Sequence, residues 1–354
     1  MKRTIEINQY YDCINRFRKL YEKEKKCRLN GDTIEEYHAW KEQTRETLKK
    51  LIGLNQMESC MLDARTLEVV ELEGGVIREK VVIQVEPDVY MPFFILLPPR
   101  SEDSNTCYLA LPGHMGAGKY AVAGCDEIPV VADQIKVFHY DYGMQLAKLG
   151  HVVICPDIRG FGERREEALQ SDKESDFING TCFHLAHMAE PLGQTVIGMH
   201  VWDMMRLLDY VKERAGWNFE KIGCVGFSGG GMITLWLTAL DDRIHKACIS
   251  GYFYGYQDSL LELNGNCSCN YVPHLWKYVD MGDIGALLAP RNIVIQSARE
   301  DHLNGKRGLQ NVFEQLDIMK KAYHIFDKEE CLYHDIREGG HCFHNEILNR
   351  FVSL

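Results

Sequence analysis

Ser228 stands at the centre of Gly226-Phe227-Ser228-Gly229-Gly230, a G-x-S-x-G pentapeptide. The apolar run KIGCVGF before it predicts a strand, and GMITLWLTAL after it predicts a helix. A serine on so sharp a turn needs small residues two positions before and after it, because larger ones collide with backbone. We interpret Ser228 as a nucleophile for acyl transfer and the Gly229 amide, at the helix start, as an oxyanion donor. The alternative is a merely flexible glycine-rich turn.

A serine hydroxyl is a weak nucleophile, so it needs a base and an acid that orients the base. In proteins with this turn the acid and then the histidine follow the serine, each on a loop after a strand. Arg299-Glu300-Asp301 follows the strand-like run NIVIQSA, and Gly339-Gly340-His341 follows CLYHDIRE. We predict Asp301 as the acid, with Glu300 as a minor alternative, and His341 as the base. Its competitors are His302, His324, His334 and His344.

The second oxyanion donor is expected in Pro112-Gly113-His114-Met115-Gly116, which follows the strand-like run CYLAL. We predict the backbone amide of His114 for this role. The same loop contains most of a nucleotide-binding motif, Gly113-x-x-x-x-Gly118-Lys119. The next residue is Tyr120, where a magnesium-binding serine or threonine is required, so a phosphate-binding loop is disfavoured.

Three sets of metal-ligand residue types draw attention: Cys267 with Cys269, His184 with His187, and His341 with His344. None completes a recognised set: Cys267-x-Cys269 lacks the two-residue spacer of zinc knuckles, and His184-x-x-His187 lacks a catalytic glutamate pattern. The sequence therefore predicts no metal site, and the serine chemistry requires no cofactor.

The composition and charge of the chain indicate which partners and which compartment to expect. The chain has 354 residues, a formal net charge of −11 and thirteen cysteines. A negative charge disfavours a nucleic-acid partner, and no apolar stretch is long enough for a membrane-spanning helix. An odd number of scattered cysteines, with no secretory signal pattern at the N-terminus, favours the cytoplasm over export.

The pattern of elements predicts an α/β protein. Residues 5–56 have helical periodicity, which defines an N-terminal helical extension (1–56) before a catalytic domain (57–354). From residue 66, three β-type runs predict antiparallel strands, and short apolar runs then alternate with helices. This alternation predicts a mostly parallel central sheet flanked by helices. Two long connections, 158–195 and 252–290, are expected to wall a pocket. Candidate wall residues are Phe161, Phe183, Tyr254 and Trp276.

A series of segments in the order PGHMGAGK, HVVICPDIRGFGER, GMHVWDMMRLLDYV, IGCVGFSGGG and EGGHCF resembles the α/β-hydrolases related to acetyl xylan esterases and dienelactone hydrolases. The resemblance covers about residues 65–354. It implies an α/β-hydrolase fold, a Ser228-Asp301-His341 triad and oxyanion amides near His114 and Gly229. The expectation of a homo-oligomer rests on this resemblance alone. Pro112-Gly113 stands where relatives commonly have His-Gly, so the resemblance does not identify the substrate.

These observations favour a serine hydrolase that cleaves a small acyl ester, such as an acetyl ester of a carbohydrate or related metabolite, through an acyl-serine intermediate. A peptidase, amidase or thioesterase would use the same triad. A non-catalytic binding protein on this fold is the alternative of another class, because fold alone does not establish activity.

Overall fold

The computed structural model describes residues 9–100, 106–171, 173–217, 219–263 and 266–354. Within these residues one nine-stranded sheet lies between two layers of helices, as the sequence predicts. The strands are β1 (Arg65–Glu71), β2 (Ile77–Glu86), β3 (Val89–Leu97), β4 (Thr106–Leu111), β5 (Val152–Pro156), β6 (Lys221–Phe227), β7 (Ile244–Ser250), β8 (Asn292–Ala298) and β9 (Leu332–Arg337).

The spatial order of the strands is β1-β2-β3-β5-β4-β6-β7-β8-β9. The pairs β1/β2, β2/β3 and β3/β5 are antiparallel, and all pairs from β5/β4 to β8/β9 are parallel. The central strands are buried along almost their whole length because helices cover both faces. The carboxyl ends of β4, β6, β8 and β9 consequently meet at one edge of the sheet.

The helices complete the two layers. They are α1 (Ile14–Tyr21), α2 (Ile34–Leu51), α3 (Lys119–Val122), α4 (Pro129–Phe138), α5 (Tyr142–Lys148), α6 (Glu174–Ile178), α7 (Cys182–Ala189), α8 (Val196–Glu213), α9 (Gly229–Leu240), α10 (Met281–Ala286), α11 (Leu309–Ile325) and α12 (Ile347–Ser353). Helices α2, α8, α9 and α11 pack on one face of the sheet, and α4, α5 and α12 pack on the other. None of the helices in the described ranges is long and apolar enough to cross a membrane.

The two long connections contain short elements of their own. Connection 158–195 holds α6, α7 and three single turns, and connection 252–290 holds a π-helical segment, Gln257–Glu262, two single turns and α10. Such short helices satisfy backbone hydrogen bonds that a structureless loop would leave to water. The described residues of both connections therefore form walls beside the sheet edge.

In the described part of the N-terminal extension, residues Ile14–Tyr21, Ile34–Leu51 and Leu54–Gln56 are helical, whereas residues 9–13 and 22–33 are not. The predicted residues 5–8 lie outside the described part. Helix α2 begins with a capping box in which Thr33 and Glu36 bond each other's backbone amides. Further along α2, the Tyr37 hydroxyl donates to the carbonyls of Ala286 and Ala289 at 2.9 and 3.0 Å. The extension thus shares the main core of the protein, while the predicted boundary at residue 56 stays a prediction.

Helix α1 and the chain after it pack on connection 252–290. Arg18 forms an ion pair with Glu262 at 2.5 Å, and the Tyr21 hydroxyl donates to Asp280 at 2.6 Å. Lys25 Nζ donates to the carbonyl of Trp276 at 2.7 Å. These contacts place the N-terminal extension behind one wall of the predicted pocket.

Lys119, the residue that suggested a nucleotide site, is fully buried in an ion cluster. Its Nζ lies 2.6 Å from Asp157 Oδ2 and 2.6 Å from Glu163 Oε1. Asp157 fits so closely against Gly118 that a Cβ there would lie 2.1 Å from Asp157 Oδ1. The glycine and lysine of this loop therefore serve a structural ion pair and are not available to a phosphate.

We expect Lys119→Met to lower the free energy of unfolding by about 3–5 kcal/mol, because it leaves the buried Asp157 carboxylate without its cation. Urea denaturation followed by circular dichroism measures the change. Lys49→Met, on the exposed side of α2, is the control and should stay within about 0.5 kcal/mol of the unsubstituted protein. Equal stability of the two variants would contradict this structural role.

Candidate active site

Ser228 lies at the junction of β6 and α9 with φ 56° and ψ −119°. A non-glycine residue in such a region stores about 1–3 kcal/mol of strain and persists only where its surroundings impose it. Here the Ser228 amide donates to the carbonyl of Ser250 on β7, at 2.9 Å, and the Ser228 carbonyl accepts from Met232 at 3.0 Å. The sheet on one side and the helix on the other hold the turn.

The glycines on either side of Ser228 are required by backbone contact. A Cβ at Gly226 would lie 2.2 Å from the Gly230 carbonyl oxygen, and a Cβ at Gly230 would lie 2.0 Å from the Leu111 carbonyl oxygen. Both distances are far inside van der Waals contact. The flexible-turn alternative is therefore excluded: this segment is tightly packed between β6, α9 and the end of β4.

His341 and Asp301 are in direct contact. His341 Nδ1 lies 2.7 Å from Asp301 Oδ2, and the Asp301 side chain is almost fully buried. The other carboxylate oxygen of Asp301 accepts from the Leu303 amide at 2.9 Å. An ionised carboxylate in this position accepts the Nδ1 proton and leaves Nε2 as the basic nitrogen of the imidazole.

Phe227 brings the histidine to the serine turn. The ring of His341 packs on the ring of Phe227 with centroids 4.5 Å apart and an interplanar angle of 37°. Phe227 is the residue immediately before Ser228, so His341 lies against the turn that carries the serine. Sequence reasoning assigned no role to Phe227, although its place inside the pentapeptide was a visible signal.

The competing residues occupy other positions. Glu300 is exposed, and its amide continues the backbone pairing by donating to the carbonyl of Gly339.

The competing histidines also lie elsewhere. His302 is largely exposed, with Nδ1 3.9 Å from Asp301, and His324 pairs with Glu329 on the surface. His334 faces Ser297 at 3.2 Å, and burial lowers its pKa to about 4. His344 contacts Cys342. Among these candidates, His341 is the one that forms a close hydrogen bond with Asp301.

The loop after β4 lies beside the start of α9. The His114 ring is so close to Gly229 that a Cβ on Gly229 would lie 2.7 Å from its Nδ1 and Cε1. The hydroxyl of Tyr140 donates to the His114 carbonyl, which fixes the peptide that follows His114. As the first residue of α9, Gly229 has an amide without an acceptor in the helix. The structure thus brings the two predicted oxyanion residues side by side.

Connection 158–195 is anchored by buried charges that the sequence analysis did not identify. Arg159 binds Asp203 of α8 at 2.8 Å and Glu86 at 2.5 Å, and Arg164 binds Asp203 at 2.7 Å. Burial raises the pKa of the Asp203 carboxyl, but the two guanidinium groups outweigh it and hold the pKa below its usual range. The wall is therefore locked to α8 by a paired, ionised carboxylate.

The four predicted wall aromatics lie in four different surroundings. Phe161 is buried, and its ring lies 5.2 Å from that of His114. Tyr254 is buried in the core, and Phe183 is 60% exposed on α7. Trp276 lines a cavity of about 630 Å³ between α1 and residues 271–277, which includes none of the predicted catalytic residues. The contact with His114 places Phe161 beside the candidate site.

The chain is similar to known proteins over most of its length. Residues 13–336 match the model of the Abhydrolase family. A Bacillus subtilis (strain 168) protein described as a hydrolase, YtaP, is 27% identical over 275 residues, which are 77% of this chain and 85% of that protein.

Solved structures with the same fold include a protein from Bacteroides fragilis described as an acetyl xylan esterase. It has a TM-score of 0.74 and 18% identity, over 93% of this chain and 82% of that one. A glucuronoyl esterase from Solibacter usitatus has a TM-score of 0.62 and 14% identity, over 89% and 92%. Because the family match extends over most of the chain and these structures share its sheet, the chain belongs to the Abhydrolase family and has the α/β-hydrolase fold.

Proposed function

We propose that this protein is a serine esterase that cleaves a small acyl ester, an acetyl ester of a carbohydrate or related metabolite, through an acyl-Ser228 intermediate. The observation that carries the proposal is the 2.7 Å contact of His341 Nδ1 with Asp301, made by a histidine whose ring packs on the residue before Ser228. A buried carboxylate, an imidazole and a strained serine in this chain order are the parts that acyl transfer requires.

In the proposed reaction, His341 Nε2 takes the proton of Ser228 as the serine oxygen attacks the ester carbonyl. Asp301 keeps the imidazole in the tautomer with the proton on Nδ1 and stabilises the imidazolium that forms. The amides of Gly229 and His114 donate to the oxyanion, helped by the positive end of the α9 dipole. His341 then protonates the leaving alcohol and activates the water that hydrolyses the acyl-serine.

The choice of an ester is supported by the proteins that share the fold. Acetyl xylan esterases from Bacteroides fragilis and Thermoanaerobacterium sp. and a glucuronoyl esterase from Solibacter usitatus match by TM-scores of 0.74, 0.57 and 0.62. Their descriptions name esters of carbohydrates. Because these proteins are only 13–18% identical to this chain, their substrate class is extended to it only as part of the proposal.

We expect Ser228→Ala to lower kcat for p-nitrophenyl acetate by on the order of a million-fold, because the acyl-enzyme no longer forms. The release of nitrophenol measures the rate, and a fluorophosphonate probe followed by mass spectrometry identifies the labelled serine. Ser175→Ala, at an exposed serine, is the matched control and should keep full activity and labelling. Labelling of Ser228→Ala, or retention of most of its activity, would exclude Ser228 as the nucleophile.

Asp301→Asn should reduce kcat by roughly 10⁴-fold, because an amide favours the wrong imidazole tautomer and no longer stabilises the imidazolium. The neighbouring variant Glu300→Gln tests the other carboxylate of the same loop and should leave kcat within about a factor of two of the unsubstituted enzyme. Steady-state kinetics of the two variants side by side decide between the acids. A larger loss in Glu300→Gln would reverse the assignment.

The leaving group is tested with matched acetyl compounds: a sugar acetate, an acetyl thioester and an acetyl anilide. The proposal predicts the highest kcat/KM for the oxygen ester, and a preference for the thioester or anilide would identify a thioesterase or an amidase. If none is hydrolysed and the fluorophosphonate probe does not label Ser228, the protein is a non-catalytic member of the fold.

A further inference from the structure

Four metal-binding side chains converge beside the candidate active site. They are His114 in the loop after β4, Cys182 at the start of α7, and Cys267 and Cys269 in connection 252–290. One ligand atom from each lies within 4.8 Å of all the others. His114 Nε2 and Cys269 Sγ are 3.3 Å apart. Cys182 and Cys269 are buried, and His114 and Cys267 are partly buried.

The spacing of these atoms is close to that of a tetrahedral zinc site. With Zn–S bonds of about 2.3 Å and a Zn–N bond of about 2.0–2.1 Å, tetrahedral geometry places ligand atoms about 3.5–3.8 Å from one another. Ligand atoms that lie within 4.8 Å of one another therefore exceed those distances by about 1 Å at most. Three thiolates and one imidazole form a Cys₃His set, a known structural zinc set whose soft sulfur ligands disfavour Mg²⁺ and Ca²⁺.

We propose that the protein binds one Zn²⁺ through His114 Nε2 and the thiolates of Cys182, Cys267 and Cys269, with release of the three thiol protons. All four ligands come from the protein, so the site is closed and leaves no position for a catalytic water. The metal acts as a brace that ties the loop after β4 to connections 158–195 and 252–290. Since the His114 ring contacts Gly229, the brace holds the predicted oxyanion loop against the Ser228 turn.

The proposed site differs from the sequence prediction of no metal site. Cys267-x-Cys269 looked incomplete because its other two ligands come from distant segments. The histidine pair His184 and His187 considered with it lies on the exposed side of α7, whereas Cys182 of the same helix points to the cluster. All thirteen cysteines lie in described residues and are free thiols, so the three thiol ligands are available to a metal.

The test is the zinc content of the full chain, purified without chelators and reconstituted with Zn²⁺ under reducing conditions, measured by inductively coupled plasma mass spectrometry. We expect about one Zn²⁺ per chain, and substoichiometric zinc in Cys182→Ser and in the double variant Cys267→Ser/Cys269→Ser. Cys331→Ser, at a partly buried cysteine outside the cluster, is the control and should keep the full zinc content. Replacement by Co²⁺ should produce the absorption bands of a tetrahedral thiolate site.

Absence of zinc from the reconstituted chain, or equal zinc in Cys182→Ser and Cys331→Ser, would overturn the proposal. A disulfide among Cys182, Cys267 and Cys269 in the purified native chain, found by mass spectrometry of unreduced peptides, would also overturn it. If the brace positions the oxyanion loop, zinc-free Cys182→Ser should lose up to about 100-fold in kcat with a smaller change in KM. Zinc content is read without any substrate, so the metal site stands or fails separately from the esterase proposal.

Discussion

The parallel pairing of β8 with β9 is the constraint on which the candidate site depends. Its register sets Ala298 opposite Arg337, and two further backbone bonds, from Arg299 to Arg337 and from Glu300 to Gly339, extend the pairing into the loops. Asp301 and His341 lie just beyond these bonds. Their 2.7 Å contact therefore follows from sheet register, since a shift of one strand by one residue would turn one of the two side chains away.

The strain at Ser228 is carried by the same sheet. The hydrogen bond from the Ser228 amide to Ser250 links the end of β6 to β7. Gly226 allows the backbone of β6 to approach α9 closely, and Gly230 allows α9 to approach the end of β4. A turn that costs about 1–3 kcal/mol is maintained because the central strands and α9 are buried and rigid. Burial of the sheet thus maintains the strained backbone of Ser228.

Features with a local signal could be predicted from the sequence. The sharp turn at Ser228 and the strands before Ser228, Asp301 and His341 each depend on a short stretch of chain, and they lie where the sequence predicts them. The structure shows a physical difference between Asp301 and Glu300. The Glu300 amide still belongs to the backbone pairing and its side chain is exposed, whereas Asp301 contacts His341.

Contacts between distant segments had no such signal. The partner of Lys119 is Asp157, and the ligands that accompany Cys267 are His114 and Cys182; neither set has a spacing that a motif describes. Both sets hold the loop after β4 from opposite ends, Lys119 by a buried ion pair and His114 by the sulfur cluster. A loop fixed at both ends keeps its amides in place before substrate arrives, which is how an oxyanion hole lowers a barrier without reorganising during the reaction.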